Sequence, residues 1–254
     1  MSLNQVDICF VIDTTGSMGP FLASAQAELV RLMEGLGSTA GLDMQFALVE
    51  YRDHPPQEQS FITKCYPLTS NRQALQKVID QLKASGGGDA PEAVYRGLHD
   101  GCLETAWREH SSRYVILVGD APPHGLGMRG DHWPDGCPSG LDTRQVTAIA
   151  EETRATLFAL VIGPSPYTEK AFAALARGTG GRCYRVSAAN EVLAKLVDIL
   201  TEEFSHLELD QKVLTRVQQL ECLDPGELAC DDFSRFQAAG ALARLGKRQL
   251  LGRF

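Results

Sequence analysis

The sequence predicts an α/β fold, a doubly wound, mainly parallel sheet flanked by helices, with a helical extension at its carboxyl end. Three observations predict it. Apolar, β-branched runs alternate with amphipathic stretches of helical period from residue 6 to residue 204, the pattern that sets parallel strands between covering helices. Two of these runs, residues 6–12 and 113–119, are apolar over most of their length, as strands buried on both faces must be. Both end in an aspartate, Asp13 and Asp120, and in such sheets ligands gather outside the carboxyl ends of strands, where strand order reverses.

Each element follows in order. The first strand, residues 6–12, delivers Asp13 to the turn Asp13-Thr14-Thr15-Gly16-Ser17. Residues 18–36 place Phe21, Leu22, Ala25, Leu29, Leu32, Met33 and Leu36 at helical spacing and stop in the breaker run 37–41. Residues 43–51 alternate and then run apolar, a strand that gives way to a loop at Pro55-Pro56. Residues 61–66 read as a short edge strand, and 71–82 as a helix capped by Ser70 or Asn71. The loop from Gly86 to Glu92 opens a helix reaching Trp107. Strand 113–119, helix 143–154, strand 156–162, helix 168–176, strand 182–186 and helix 190–204 complete the series. The two most apolar strands belong at the centre, which lets Asp13 and Asp120 face one point.

Asp13, Thr15 and Ser17 carry oxygen at alternate positions of the first turn. One carboxylate and two hydroxyls make a poor nucleophile but a good partial shell for a hard cation, which wants oxygen ligands and leaves positions for other molecules. Asp13 beside a second strand-end acid would be repelled without a cation. Taken alone, the turn also reads as a helix cap, with Ser17 at the head of a helix from about Gly19.

The pattern Asp13-x-Thr15-x-Ser17 resembles the Asp-x-Ser/Thr-x-Ser motif of von Willebrand factor type A (VWA) domains, whose metal-ion-dependent adhesion site (MIDAS) binds partners through a cation. The likeness spans residues 5–204, leaving 205–254 as the extension. It implies a Rossmann-like fold, metal ligation by Asp13, Thr15, Ser17 and Asp120, and Mg2+ or Mn2+ as the ion, with Ca2+ as a further option. Many type A domains carry a threonine in the loop that here holds Gly88 and Asp89. The stretch Asp89-Ala90-Pro91-Glu92 is similar instead to the Asp-Ser-Pro-Glu loop of integrin β-subunit I-like domains, whose Glu reaches the central metal while the Asp and the Pro carbonyl serve an adjacent one. Glu92 is then a candidate ligand, and Asp89 a supporting or second-metal group. Against this stands an ordinary helix start, with Pro91 in the first turn and Glu92 favoured by the helix dipole. The choice matters, because Asp13 and Asp120 just neutralise a divalent ion and leave it electrophilic toward a carboxylate, whereas Glu92 adds a charge that weakens this pull.

Residues 121–140 form a long loop leaving the strand-end Asp120 directly, positioned to make a rim or lid. His124, Asp131, His132 and Cys137 invite a zinc site, but their spacing fits no structural-zinc pattern and scattered polar loop residues are the expectation. Trp133 is expected to anchor the loop to the body. Arg129-Gly130-Asp131 is the tripeptide integrins recognise, and in a Gly-rich loop it carries no weight.

The 254 residues suffice for one large α/β domain and a small addition, and 44% hydrophobic content supports a proper core. A net charge of -8, with no basic tract longer than Lys247-Arg248, excludes nucleic acid as the main partner. No apolar run approaches the roughly 18 residues of a membrane span, and the first strand leaves no room for a signal peptide. The 7 unpatterned cysteines read as free thiols in a reducing compartment, pointing to the cytoplasm. Within 205–254, residues 207–220 and 232–251 have helical spacing on either side of Asp224-Pro225-Gly226. They are expected to fold against the main domain, the alternative being a docking or dimerising hairpin.

Two function classes emerge. The first is a non-enzymatic, cation-dependent protein-protein interaction module, whose ion takes an Asp or Glu of a protein partner. The second is a metal-dependent hydrolase or phosphotransferase using the same ion as a Lewis acid. Thr15 stands where phosphatases of the haloacid dehalogenase type have their proton-donating acid, and no Gly-x-x-x-x-Gly-Lys loop or nucleophile-base pair is evident. Binding is the favoured class.

Overall fold

The computed structural model describes residues 5–23, 26, 42–187, 191, 194–195, 197–205 and 212. Asn4–Val197 form one compact unit. Its sheet has six strands, β1 (Gln5–Asp13), β2 (Asp43–Tyr51), β3 (Thr63–Thr69), β4 (Ser112–Gly119), β5 (Ala155–Ile162) and β6 (Cys183–Val186), in the order β3-β2-β1-β4-β5-β6. All pairings are parallel except β2 with β3, which is antiparallel and forms one edge. The helices are α1 (Arg72–Gln81), α2 (Val94–Leu103), α3 (Thr143–Glu152) and α4 (Pro166–Gly178), with a 3-10 turn at Gly16–Met18.

The central strands are buried on both faces, which explains their near-continuous apolar sequence. In β1, Val6, Ile8, Cys9, Phe10 and Val11 are all fully buried. Cys9, Val11, Val49, Tyr51, Val115, Leu117 and Leu157 share a core with Val94 and Leu98 of α2, Val146 of α3 and Phe172 of α4. From β1 the chain passes to β2 on one side and later to β4 on the other, so strand order reverses between β1 and β4. That reversal brings the ends of these two strands, and therefore Asp13 and Asp120, side by side.

Helix α2 lies unusually close to the sheet because it carries Gly97 and Gly101 one turn apart. A Cβ at Gly97 would stand 2.9 Å from the Tyr51 ring, and one at Gly101 would stand 2.6 Å from Val11. The helix also stops at Leu103 instead of reaching Trp107. The reason is local: Thr105 Oγ1 donates to the Gly101 carbonyl and Trp107 Nε1 to the Cys102 carbonyl, 2.8 Å each, satisfying the terminal acceptors from outside the helix.

Other boundaries shift slightly. The edge strand runs from Thr63 to Thr69, because Ile62 instead accepts from the Arg52 N–H and Phe61 packs under the Arg52 guanidinium. Helix α1 is capped by Asn71, whose side chain accepts from Ala74 N. Helix α4 begins at Pro166 behind the Ser165 cap. Of the helix expected over 18–36, Met18 closes the 3-10 turn, residues 19–23 and 26 are helical, and residues 24–25 and 27–36 lie outside the described residues. The helices expected over 207–220 and 232–251 also lie outside them, apart from residue 212. No helix among the described residues is long and apolar enough to cross a membrane, and the five described cysteines are free.

Candidate metal centre

Four loops meet at the carboxyl ends of β1, β2 and β4. In the first, Asp13 is fully buried, and its Oδ1 accepts from Thr15 N at 2.8 Å and Thr15 Oγ1 at 2.6 Å. Thr15 Oγ1 lies 3.4 Å from Ser17 Oγ, which donates to Asp120 Oδ1 at 3.1 Å. Asp13, Thr15, Ser17 and Asp120 are thus one connected constellation. The turn is a 3-10 turn capped by Thr15 without a side-chain cap bond, and Ser17 Oγ faces Asp120. Asp13 Oδ2 is buried with no hydrogen-bond partner.

The glycine loop closes against this turn. Gly16 N donates to the Gly86 carbonyl and Ser85 N to the Thr14 carbonyl, 3.1 and 3.0 Å. Gly87 has φ +78°, and a Cβ there would stand 2.7 Å from Glu92 Oε1 and 3.3 Å from Thr15 Cβ. Only glycine allows Glu92 to lie this near the motif. Glu92 is not in the first turn of α2, which starts at Val94 with no acid in its first turn. Its backbone instead bridges to the loop after β4, with Glu92 N donating to the Pro122 carbonyl at 2.9 Å, while Ala93 N reaches the Arg52 carbonyl. Pro91 and Glu92 thus precede the helix and do not form its first turn. Glu92 is only 4% exposed, and its Oε2 has no partner.

The third and fourth loops hold a cluster that joins the singled-out loop residues to Asp53 and His54, which sequence reading missed. His124 is buried, with Nε2 2.7 Å from Asp53 Oδ1 and Nδ1 2.8 Å from Asp131 Oδ1. Asp131 also accepts from Trp133 N and Gly125 N. His132 N and Nδ1 lie 2.9 and 3.0 Å from Asp89 Oδ2, and Cys137 Sγ lies 3.4 Å from His54 Nε2. The Trp133 ring stands edge-on to His54 and His124, so it anchors the loop as expected. Residues 124–137 are therefore a bonded cage, correcting their reading as scattered polar residues. Nor do His124, Asp131, His132 and Cys137 converge on one zinc ion: His124 and Asp131 bond to each other, His132 bonds to Asp89, and Cys137 lies against His54. The missed signal was Asp53, an acid two residues beyond the end of β2.

Electrostatics marks the same place. Burial first, and then the charges of Asp120 and Asp53, push Asp13 up to about 7 against the pull of its Thr15 hydrogen bonds. Burial, followed by the charges of Asp13, Asp53, Asp120 and Asp89, pushes Glu92 up to about 10. Burial raises Asp120 too. Acids this crowded hold protons or gather around a cation. An oxygen-rich donor set with bare, buried oxygens fits a hard divalent ion, and neither His99, bonded to Asp100, nor His124 pairs with Ser17 as a base.

Comparison with known proteins agrees with this architecture. Residues 7–127 match the von Willebrand factor A domain family. An alpha-protein kinase, vwkA, of Dictyostelium discoideum is 33% identical over 141 residues, covering 54% of this chain and 22% of that protein. The chain thus spans about a fifth of that curated relative's length. Among solved structures, proximal thread matrix protein 1 of the mussel byssus, with a zinc-occupied MIDAS motif, superposes with TM-score 0.58 at 18% identity, covering 77% of this chain and 44% of that one. The pilus adhesin SpaC of Lactobacillus rhamnosus GG gives 0.57 at 18% identity, covering 78% and 30%. At such identities these two structures speak for the fold.

Proposed function

From the premise that this chain carries a von Willebrand factor A domain, we propose that it is a non-enzymatic, cation-dependent protein-interaction module. An ion of the Mg2+ or Mn2+ class is held by Asp13, Thr15, Ser17 and Asp120, with Glu92 beside it and Asp89 behind, and it accepts an Asp or Glu carboxylate from a protein partner. The observation that carries this reading is Asp13 Oδ2, bare and buried at the end of a chain of oxygen donors that runs to Asp120. When bound, the ion supplies an electrophilic position. The chain's own residues fix its place: Thr15 orients Asp13, Ser17 orients Asp120, and Thr168 Oγ1 donates to the Asp120 carbonyl at 3.1 Å. Residues 5–204 form the interaction domain of this reading and 205–254 a helical extension for assembly, in the cytoplasm.

The test is capture of a partner from native lysate in Mg2+, with the wild type and Asp13→Ala compared. Capture that vanishes in chelator, in the variant and in excess aspartyl peptide is the expected result. Capture persisting in chelator rejects the reading, and Asp13-dependent phosphoester hydrolysis by the purified chain would place the ion in an enzyme.

A further inference from the structure

Arg52, the residue after β2, is a buried cation, only 8% exposed, that bonds to none of the acids of the Asp13 constellation. Its side chain instead ties three segments together. Nε donates to Thr14 Oγ1 at 3.3 Å, Nη1 to Ser60 Oγ at 2.9 Å and to Glu58 Oε2 at 3.5 Å, and Nη2 to the Lys83 carbonyl at 2.9 Å. The guanidinium also lies over the Phe61 ring, 4.4 Å from its centre. Its backbone spans the same region: Arg52 N donates to the Ile62 carbonyl, and the Arg52 carbonyl accepts from Ala93 N, the residue after Glu92, both at 2.9 Å. Removing a guanidinium from water can cost more than a carboxylate at 3.5 Å returns, so stability alone is a weak reason for it.

The better reason lies in Thr14. This fully buried residue separates Asp13 from Thr15, and each of its polar atoms is tied: N to the Tyr51 carbonyl at 3.0 Å, the carbonyl to Ser85 N at 3.0 Å, and Oγ1 to Arg52. These ties converge. Lys83, Ser85 and Gly86 lie on one loop, and the Gly86 carbonyl accepts from Gly16 N. The Glu58 carboxylate, fixed by the N–H groups of Gln59 and Ser60, fills the space that a Cβ at Gly86 would need. We infer that Arg52 is a positioning residue for the ion: by holding Thr14, Glu58 and the loop after α1 in one bracket, it fixes the spacing of Asp13, Thr15 and Ser17 without touching the ion. Lysine does not replace it, since one ammonium lacks the planar fork that reaches three segments at once. The inference rests on the metal reading of the Asp13 turn.

The test is Mg2+ titration calorimetry of the full chain, with Asp13→Ala as the control for the ion site and urea unfolding in chelator as the measure of stability. Arg52→Gln, Arg52→Lys and Thr14→Val should each bind Mg2+ about 10-fold more weakly. Arg52→Gln combined with Thr14→Val should also lose about 10-fold, not the roughly 100-fold of independent effects, because both changes break one link. Asp7→Ala, a destabilising change near the other end of β1, should leave Mg2+ affinity unchanged. Thr14→Val carries the test if Arg52→Gln does not fold. Full affinity in Arg52→Lys or Thr14→Val, or a loss in Asp7→Ala equal to that in Arg52→Gln, overturns the inference, while binding that vanishes only in Asp13→Ala leaves the ion site standing without it. A wild type that binds no Mg2+ overturns the ion site and the inference together.

Discussion

Strand β1 carries two fully buried aspartates, Asp7 near its amino end and Asp13 at its carboxyl end, and the protein treats them differently. Asp7 is matched from within the chain. Arg108 donates to its two oxygens through N and Nε at 2.9 and 2.7 Å, and the same guanidinium reaches Asp43 and the Val6 carbonyl. Among the described residues no cationic side chain is bonded to Asp13: Thr15 serves one oxygen, the other is bare, and Asp120 and Asp53 lie near it. A buried charge must be paired or it titrates. At one end of the strand the sequence supplies the counter-charge, and at the other the described residues supply none, which is the gap the proposed ion would fill.

The comparison can be broken at either end. The largest effect is expected at the open end, where Asp13→Ala should weaken Mg2+ binding by more than about 100-fold in titration calorimetry. Retained affinity there would remove the distinction between the two acids.

At the closed end the effect is on stability. Asp7→Ala takes from Arg108 its buried partner and leaves it the more exposed Asp43, and should cost about 3 kcal/mol in urea unfolding. Asp13→Asn in chelator should cost nothing or stabilise, since it removes an uncompensated buried acid.

The pH profile sharpens the contrast. With its carboxyl raised from an ordinary 3.8 to about 7, Asp13 makes the folded, metal-free chain bind more protons than the unfolded one between those values. Its contribution to stability therefore falls as pH rises from about 4 to about 7 and then levels, and Glu92 extends the fall toward about 10. Unfolding followed across pH should show this loss as a difference between wild type and Asp13→Asn, and saturating Mg2+ should erase it. The smallest effect belongs to Ser17→Ala. Its side chain is exposed, so melting should hardly change while Mg2+ affinity drops about 10-fold.

Much of the fold and the core of the candidate site were legible beforehand. Burial on both faces leaves its mark in consecutive residues, so residues 6–12 and 113–119 announced the central strands and put Asp13 and Asp120 at their ends. Glu92 was only half legible. Its loop resembled a ligand loop and also a helix start, and the choice lay in a backbone bond to Pro122, 30 residues away in the chain. The end of α2 was misread because side chains of Thr105 and Trp107 satisfy carbonyls that the apolar pattern does not reveal.

The sequence by itself determined the alternation of strands and helices, the central position of β1 and β4, and the pair of acids at the reversal of strand order, because each follows from local periodicity and from the need to bury apolar faces. Only the tertiary structure decided that Asp53, 71 residues before His124, would meet it, that Asp131 would fix the ring, and that Gly87 would let Glu92 approach Thr15. Periodicity states which side of an element is buried; which side chain waits across the gap depends on how separate loops pack.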